Sequence, residues 1–420
     1  MLKRMLETLV GCVLFAALLF GITRLTPADL PRGTTVETTR STKVVCIPAA
    51  EGATVRLAGI HSAAALDAAP TPQTRAVLPE QTLPVVAEGT EGPVGAAMTG
   101  VDAVRTLTPC VRPVSRGVIS LPATANTELR IVNPDSSEAA IDLTLFGPDG
   151  EIQSLGARGI ALGPRSQKTI ALSVLTSEAT PVGVVFQASR GRAAVVAVTT
   201  TATSGTAAVP GEAATSHWLP GVMAGVPEAS VVLANPGEDR ATATLTAYGT
   251  TPAYTPGGAE SISIPPRSTV VVPLAGALAG EAAAIRVTSD LEVLAGLAVV
   301  NGDGAQVAPV KAGRTVRTLA PPGGTLQVTN PGSETTTATV TVVTEAGESV
   351  ETLEVGAGMT VALPLTAETT EGHLVSVQAP TEVFGAVVST GEAGTWVAPL
   401  ESADSVSVAP IGAELDPGLH

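Results

Sequence analysis

The sequence predicts an all-β fold: tandem immunoglobulin-like β-sandwiches preceded by one N-terminal membrane helix. Three observations lead to this prediction. Valine and threonine alternate through most of the 420 residues, which favours strands with one apolar and one polar face. Aromatic residues make up only 2% of the chain, so the core must be built from aliphatic side chains. The same turn and strand motifs also recur along the chain at a nearly constant spacing.

The first 30 residues predict a signal anchor. Lys3 and Arg4 precede a mostly apolar stretch from Leu9 to Thr23, which is shorter than the ~20 residues of a typical spanning helix. It fits a short signal anchor or the apolar part of a signal peptide. The basic flank places the amino end in the cytoplasm. Because "TPA" at Thr26–Ala28 is a poor cleavage site, we expect a single-pass membrane protein with its C-terminal ectodomain outside the cytoplasm. Cleavage would make it a secreted protein.

Cys46 and Cys110 are the two cysteines that follow this segment. Two cysteines in an exported region predict one disulfide bond, and the alternative of two unpaired thiols is disfavoured in an oxidising compartment. The four histidines are scattered singly and form no metal-ligand pattern with the cysteines. We expect closure of this long loop to stabilise the fold by roughly 4 kcal/mol.

The chain after residue 42 contains a repeated unit. Three Asn-Pro turns each follow a short apolar strand and precede an alternating strand: Asn133-Pro134, Asn235-Pro236 and Asn330-Pro331. "GPRS" at Gly163–Ser166 and "PPRS" at Pro265–Ser268 form a second landmark. In the third copy "GAGM" replaces it, with Met359 where we expect the counterpart of Arg165 and Arg267. These arginines would either bind an anionic polymer or, as we prefer, form polar hairpin tips.

The repeat predicts the domain boundaries. They are a signal anchor (1–30), a linker (31–42), a divergent short β-sandwich unit (43–116), three β-sandwich repeats (117–215, 216–316 and 317–412) and a tail (413–420). Units of this length with seven or eight short strands fit the immunoglobulin-like class. A β-propeller is the main competing architecture, but its blades of 40–50 residues require a half-period that the sequence does not display.

The chemistry of the Asn-Pro turns favours a structural role over a ligand-binding one. The residue before proline is biased to extended geometry, so asparagine can end a strand. Proline then sets φ for the first central turn position, and the asparagine side chain can accept a hydrogen bond from the backbone two residues on. We therefore interpret the six asparagine and proline residues as turns that need no ligand.

Other motifs predict no catalytic, cofactor-binding or metal-binding residue. "NGDG" at Asn301–Gly304 offers one carboxylate, so it fits a hairpin turn better than a calcium loop. Trp218 and Trp396 would serve either as a carbohydrate-stacking platform or, as we prefer, as amphipathic anchors at domain junctions. The net charge of −15 argues against nucleic-acid binding, which requires a basic surface.

The short basic start, the apolar anchor, the repeated Asn-Pro-Gly units and the apolar-proline strand ends resemble an actinobacterial family of membrane-anchored exported proteins with a domain of unknown function. The alanine-, valine-, threonine- and glycine-rich composition, poor in lysine, agrees with a high-GC genome. The resemblance implies no known activity, so it assigns no catalytic residue.

These observations predict a non-enzymatic extracytoplasmic cell-envelope protein: a membrane-tethered scaffold for protein interaction or spacing, with its four units end to end in a rod. The alternative is a cell-wall glycan-binding module, and a remote one is an envelope enzyme with an unrecognised site. We expect the membrane as one partner, through the anchor, and an envelope protein or glycan as another. No nucleic acid or small-molecule substrate is expected.

Overall fold

The computed structural model describes residues 42–403, apart from 91, 100–105, 177–179, 201–204, 302, 345, 366–371 and 392–393. Its elements are 32 β-strands and one four-residue helix, which confirms the predicted all-β class. The predicted signal anchor, the predicted tail and most of the predicted linker lie outside the described residues. Within those residues, no helix is both long and apolar enough to cross a bilayer.

The strands fall into four consecutive groups, which we call repeats 1 to 4. Repeat 1 contains β1 (Thr42–Cys46), β2 (Ala53–Ala58), β3 (Ser62–Ala65), β4 (Thr71–Pro72), β5 (Arg75–Gln81), β6 (Val85–Gly89), β7 (Val94–Thr99) and β8 (Thr106–Pro109). Repeat 2 contains β9 (Arg116–Leu121), β10 (Thr127–Asn133), β11 (Ala139–Gly147), β12 (Gly150–Ile152), β13 (Ile160–Leu162), β14 (Ser166–Ala171), α1 (Leu172–Leu175), β15 (Val182–Arg190), β16 (Ala194–Thr200) and β17 (Gly205–Ala208).

Repeat 3 contains β18 (Ala214–Val222), β19 (Glu228–Asn235), β20 (Ala241–Tyr248), β21 (Ile262–Ile264), β22 (Ser268–Pro273), β23 (Ala283–Asn301) and β24 (Asp303–Val307). Repeat 4 contains β25 (Gly313–Ala320), β26 (Thr325–Thr329), β27 (Thr336–Thr344), β28 (Gly347–Val355), β29 (Thr360–Pro364), β30 (His373–Gly391), β31 (Gly394–Pro399) and β32 (Glu401–Ser402). Whether any repeat is a separate folding domain with the predicted boundaries stays a prediction.

Each repeat builds two antiparallel sheets with the same strand scheme. The first sheets are β1-β6-β3-β4, β9-β15-β11-β12, β18-β23-β20-β21 and β25-β30-β27-β28. The second sheets are β8-β7-β2-β5, β17-β16-β10-β14, β24-β23-β19-β22 and β31-β30-β26-β29. In repeats 3 and 4 one long strand, β23 or β30, runs through both sheets. We call β1, β9, β18 and β25 the opening strands and β8, β17, β24 and β31 the closing strands.

The two sheets of a repeat pack face to face around an aliphatic core. In repeat 2, Leu129 and Ile131 of the second sheet share one buried cluster with Ile141 and Leu143 of the first. This sandwich-like pairing follows from the alternation of apolar and polar residues, which turns one face of β11 inward.

Each first sheet also packs against the second sheet of the next repeat. Val45 of β1 lies in one cluster with Val196 of β16, and Val118 of β9 lies in another with Leu294 of β23. The last repeat continues the series back to the first, because Leu319 of β25 packs with Val94 of β7. The eight sheets therefore form a closed circuit.

The closing strands meet at the centre of this circuit, in the order β8, β17, β24, β31 and back to β8. The Thr106 hydroxyl donates a hydrogen bond to the Gly205 carbonyl at 2.9 Å. Gln306 Nε2 donates to the Thr206 hydroxyl at 3.3 Å. Leu107 and Ala398 share a buried cluster where the last repeat meets the first. Eight sheets of at least four strands, arranged around a centre in this way, have the architecture of a β-propeller.

This arrangement corrects the expectation of an end-to-end rod. Ser41–Ser405 forms one compact unit. Arg317 Nη2 of repeat 4 donates a hydrogen bond to the Gly92 carbonyl of repeat 1, so the ends of the repeat series are in direct contact. The competing propeller architecture therefore describes the observed assembly of sheets better than a linear array does.

The Asn-Pro turns tie strands together through buried asparagine side chains. Asn235 is fully buried; its Oδ1 accepts a hydrogen bond from the Gly237 amide at 2.9 Å, and its Nδ2 donates to the carbonyls of Asp239 and Ile264 at 2.7 and 3.2 Å. Asn133 and Asn330 make the equivalent contacts. Each asparagine thus closes its own turn and bonds it to the segment around the start of the second landmark, which is "GPRS", "PPRS" or "GAGM".

That second landmark is also a turn. Arg165, Arg267 and Gly358 have positive φ values of 46°, 50° and 64°. Their amides donate to the carbonyls of Asp135, Gly237 and Gly332, which are the third residues of the three Asn-Pro turns. The counterpart of Arg165 and Arg267 is therefore Gly358, which suits the left-handed conformation, and the expectation of Met359 at this position is wrong.

We predict that Asn235→Ala lowers the free energy of unfolding by about 3 kcal/mol, because three buried backbone groups lose their partner. Asn235→Asp is expected to cost at least as much, because a carboxylate would face the two carbonyl oxygens that now accept from Nδ2. Urea unfolding of the purified chain measures both. Asn301→Ala, at the exposed end of β23, is the control, and equal losses in all three variants would contradict the assignment.

Candidate functional site: the junctions between repeats

The junction of repeats 1 and 2 is ionic. Asp135, the third residue of the first Asn-Pro turn, accepts hydrogen bonds from Arg192 Nε at 2.8 Å and from Lys43 Nζ of β1 at 2.9 Å. Lys43 also lies 3.5 Å from a Glu88 carboxylate oxygen. Hydrogen bonds from Arg192 and Lys43 outweigh partial burial and lower the pKa of Asp135 from 3.8 to about 2. The carboxylate therefore joins β1 to the turn of the next repeat.

The junction of repeats 2 and 3 depends on a buried threonine and a close backbone approach. The Thr269 hydroxyl donates to the Phe146 carbonyl and accepts from the Gly183 amide, so one side chain joins two strands of the neighbouring repeat. A Cβ atom at Gly183 would lie 2.5 Å from the Ala234 side chain, so this position requires glycine. At the exposed rim, Arg267 forms ion pairs with Glu151 of repeat 2 and Glu238 of repeat 3.

The junction of repeats 3 and 4 is aromatic. The Trp218 ring packs against Phe384 at a centroid distance of 4.8 Å and meets Tyr248 edge to face at 5.6 Å. The Arg286 guanidinium covers the Trp218 ring at 4.7 Å from its centroid. Thr360 donates to the Tyr248 carbonyl at 2.6 Å. Trp218 therefore lies at a junction, as the sequence predicts.

The junction of repeats 4 and 1 contains two titratable groups whose pKa values are shifted by burial. The Glu401 carboxyl of β32 is partly buried, and this burial raises its pKa although the positive charges of Arg112 and Arg317 oppose the shift. His373 of β30 is buried, and its pKa is lowered by burial and then by the charge of Arg56 in repeat 1. A cavity of about 10 Å³, the size of one water molecule, lies beside Arg317 and Glu401. Closure of the circuit thus places ionisable groups of both terminal repeats together.

Cys46 and Cys110 form the predicted disulfide bond, with Cα atoms 4.1 Å apart. Cys46 ends β1 and Cys110 directly follows β8, so the bond joins the opening strand of repeat 1 to the end of its closing strand. The adjacent Val45 and Val111 exchange two backbone hydrogen bonds. The disulfide therefore fastens the innermost strands of the shortest repeat.

The other motifs singled out by the sequence stay apart from one another. Trp396 is almost fully buried, in a cluster that contains residues of repeats 4 and 1, and Trp218 is partly covered, so these two rings form no shared exposed platform. The single nitrogen His217 Nε2 lies 3.1 and 2.9 Å from two backbone carbonyls, and burial lowers the pKa of this histidine. Asn301 pairs with Asp303 at a hairpin between β23 and β24. Within the described ranges, no group of three or more His, Cys, Asp or Glu side chains is placed to hold a metal ion.

Sequence reasoning missed the residues that join the repeats: Asp135, Gly183, Thr269 and Glu401. Asp135 could have been recognised from the sequence, because it stands where the other two turns have Gly237 and Gly332. A carboxylate that interrupts a repeated glycine indicates a contact outside the repeat. The other three resemble ordinary strand residues, and their roles depend on neighbours about 50 or more positions away along the chain.

Two comparisons with known proteins bear on this chain. A family model described as "Family of unknown function (DUF5719)" matches residues 84–321, more than half of the chain. The matched region runs from β6 of repeat 1 to the end of β25 in repeat 4, so it contains all the described residues of the junction between repeats 2 and 3 and part of those at the other junctions. No curated protein matches the sequence. The match confirms the resemblance to a family with a domain of unknown function.

We predict that Asp135→Asn lowers the free energy of unfolding at pH 7 by about 1–2 kcal/mol, because each unit of pKa shift corresponds to about 1.4 kcal/mol and the site is partly solvated. The folded-state pKa is lowered, so the contribution is complete above the unfolded pKa near 3.8 and is lost as pH falls through about 2. Urea unfolding at pH 7 and pH 2.5 measures this difference. Asp149→Asn, at an exposed hairpin, is the matched control; a loss of equal size at both pH values would contradict the ionic role.

Glu401 is expected to make stability depend on pH in the opposite direction. Because its folded-state pKa is raised, the stability of the wild-type junction should fall as pH rises from the ordinary value of 4.5 through the raised pKa. Glu401→Gln removes the buried charge, so we expect the variant to gain thermal stability relative to wild type at neutral pH and to match it at pH 4. Melting curves from pH 4 to 8 test this. A variant less stable than wild type at neutral pH would show that the arginines outweigh burial.

Proposed function

We propose a function for this chain, which belongs to the family of unknown function DUF5719: it is a non-enzymatic protein of the extracytoplasmic cell envelope that acts as a membrane-tethered scaffold for protein interaction. The observation that carries the proposal is the closed circuit. Ionic and aromatic contacts of the described chain join repeats to one another, as is expected of a rigid platform. Of the two scaffold roles that the sequence suggests, presentation of surfaces fits a compact circuit better than spacing does.

The proposed location rests on two features of the sequence. The basic and apolar segment within residues 1–30 supports a single-pass anchor with the circuit outside the cytoplasm, and cleavage of that segment would release the protein. The Cys46–Cys110 disulfide supports an oxidising compartment. An actinobacterial source is proposed on the composition and on the resemblance described above.

We also propose that each repeat is related to the immunoglobulin-like sandwich. In repeat 2, β10 pairs with β14 and β11 pairs with β15, as strands B with E and C with F pair in that class. The opening strand β9 joins the first sheet beside β15, where the last strand of an immunoglobulin domain would pair. The opening strand thus takes the place of the closing strand in the first sheet, and the closing strand pairs in the second sheet. Both sheets can then pack against neighbouring repeats.

The scaffold proposal is tested by proximity labelling in the native envelope. The full chain carries a peroxidase tag at its C-terminus, and the control carries the same tag on residues 1–40 alone. We expect a defined set of extracytoplasmic envelope proteins to be labelled by the full chain and not by the control. Labelling identical to that of the control would overturn the proposal, and sedimentation of the full chain with cell-wall polysaccharide would instead favour a glycan-binding module.

A further inference from the structure

The outermost strand of the first sheet in repeat 4 differs from its counterparts. In repeat 1 this position is held by β4, in repeat 2 by β12 together with β13, and in repeat 3 by β21, and each of these strands has two or three residues. In repeat 4 it is held by β28, which has nine. The other repeats therefore provide an internal comparison, in which only repeat 4 offers a full-length strand at this edge.

The outer edge of β28 is open within the described chain. Its inner edge pairs with β27 over all nine residues, from Thr336–Val355 to Thr344–Gly347, and β28 ends the strand order of its sheet. Because Thr344 and Gly347 close a two-residue hairpin, they form a hydrogen-bonded pair, and every second pair after them does too. The amides and carbonyls of Glu348, Val350, Thr352 and Glu354 therefore point away from β27.

The side chains along this edge define the chemistry of a complementary strand. Glu348, Glu351 and Glu354 are exposed, and β27 carries no charged residue to neutralise them. None of the three glutamates forms an ion pair in the part of the chain that the structure describes. Val350, between them, is 58% exposed. An added strand would thus have the carboxylates of Glu348 and Glu354 opposite its ends and the Val350 side chain near its middle.

Full-length pairing with a second copy of the same strand, which is centred on Glu351, is disfavoured at this edge. Antiparallel pairing of two β28 strands about Glu351 would place Glu348 of one copy opposite Glu354 of the other, and like charges directly opposite destabilise a strand pair. A strand with lysine or arginine at those positions would instead gain favourable cross-strand pairs.

We propose that the free edge of β28 binds an extended, positively charged segment of a partner protein, which adds to the sheet as a further strand. Main-chain hydrogen bonds to residues 348, 350, 352 and 354 supply the affinity, and basic side chains opposite Glu348 and Glu354 select the partner. The inference rests on the proposed scaffold role and identifies one of its binding surfaces.

The probe is a fluorescent peptide, Thr-Lys-Thr-Val-Thr-Val-Thr-Lys-Thr, whose lysines match the spacing of Glu348 and Glu354. Anisotropy titration with the full chain in mild detergent is expected to show saturable binding that weakens with salt. Replacing both lysines of the peptide by glutamate should weaken binding at least tenfold.

Two variants separate the backbone contribution from the charge contribution. Thr352→Pro removes an outward amide and leaves the ladder to β27 intact, so we expect at least tenfold weaker binding and an unchanged melting temperature. Glu348→Lys combined with Glu354→Lys should weaken binding at least tenfold without altering the backbone. Glu228→Lys combined with Glu260→Lys, at two exposed positions of repeat 3, is the control with the same change of net charge and should bind as wild type does.

Absence of binding, or equal binding by all variants, would overturn the proposal. A wild-type dimer in light scattering that Thr352→Pro abolishes would also overturn it, because it would show that a second copy occupies the edge. If Thr352→Pro fails to fold, the double lysine variant still decides. Envelope labelling that persists when the peptide does not bind would leave the scaffold role standing and remove only this surface.

Discussion

The whole assembly depends on the need to cover both faces of its sheets. Strands near the centre are apolar on both sides: Ala194–Val198 of β16 are buried consecutively, and so are Val293–Val299 of β23. A sheet that contains such a strand cannot leave either face in water. Within a repeat the two sheets cover each other on one side only. The remaining faces are covered by the neighbouring repeats, and a closed circuit is the arrangement that leaves no terminal sheet bare.

The sequence predicts the repeats and their turns well, because those features are local. An Asn-Pro step and an alternating strand are formed by residues that are close along the chain, so their chemistry can be recognised in a short segment. The strand alternation also predicts the all-β class. These predictions concern single units, and they needed no knowledge of what each unit packs against.

The circuit could not be predicted from the period, because the strands of two sheets alternate along the chain. β9 belongs to the first sheet of repeat 2, β10 to the second and β11 to the first again, so no sheet is completed before the next begins. The sequence of a propeller built in this way repeats once for every two sheets, so a repeat of the length of one sheet cannot be recognised in it. The continuous apolar runs carried the missing signal, since burial on both faces excludes an isolated sandwich. Junction residues such as Thr269 and Glu401 could not be found, because their partners are brought together only by that circuit.

The contact between Arg317 and Gly92 has a consequence for how the chain matures. A chain that emerges from its N-terminus displays the outer face of repeat 1 for as long as repeat 4 is still being made. During that interval the second sheet of repeat 1 lacks the neighbour that packs against β7. The Cys46–Cys110 bond lies in this repeat and needs no residue beyond its own strands. The bond can therefore hold β1 and the end of β8 together before repeat 4 is complete.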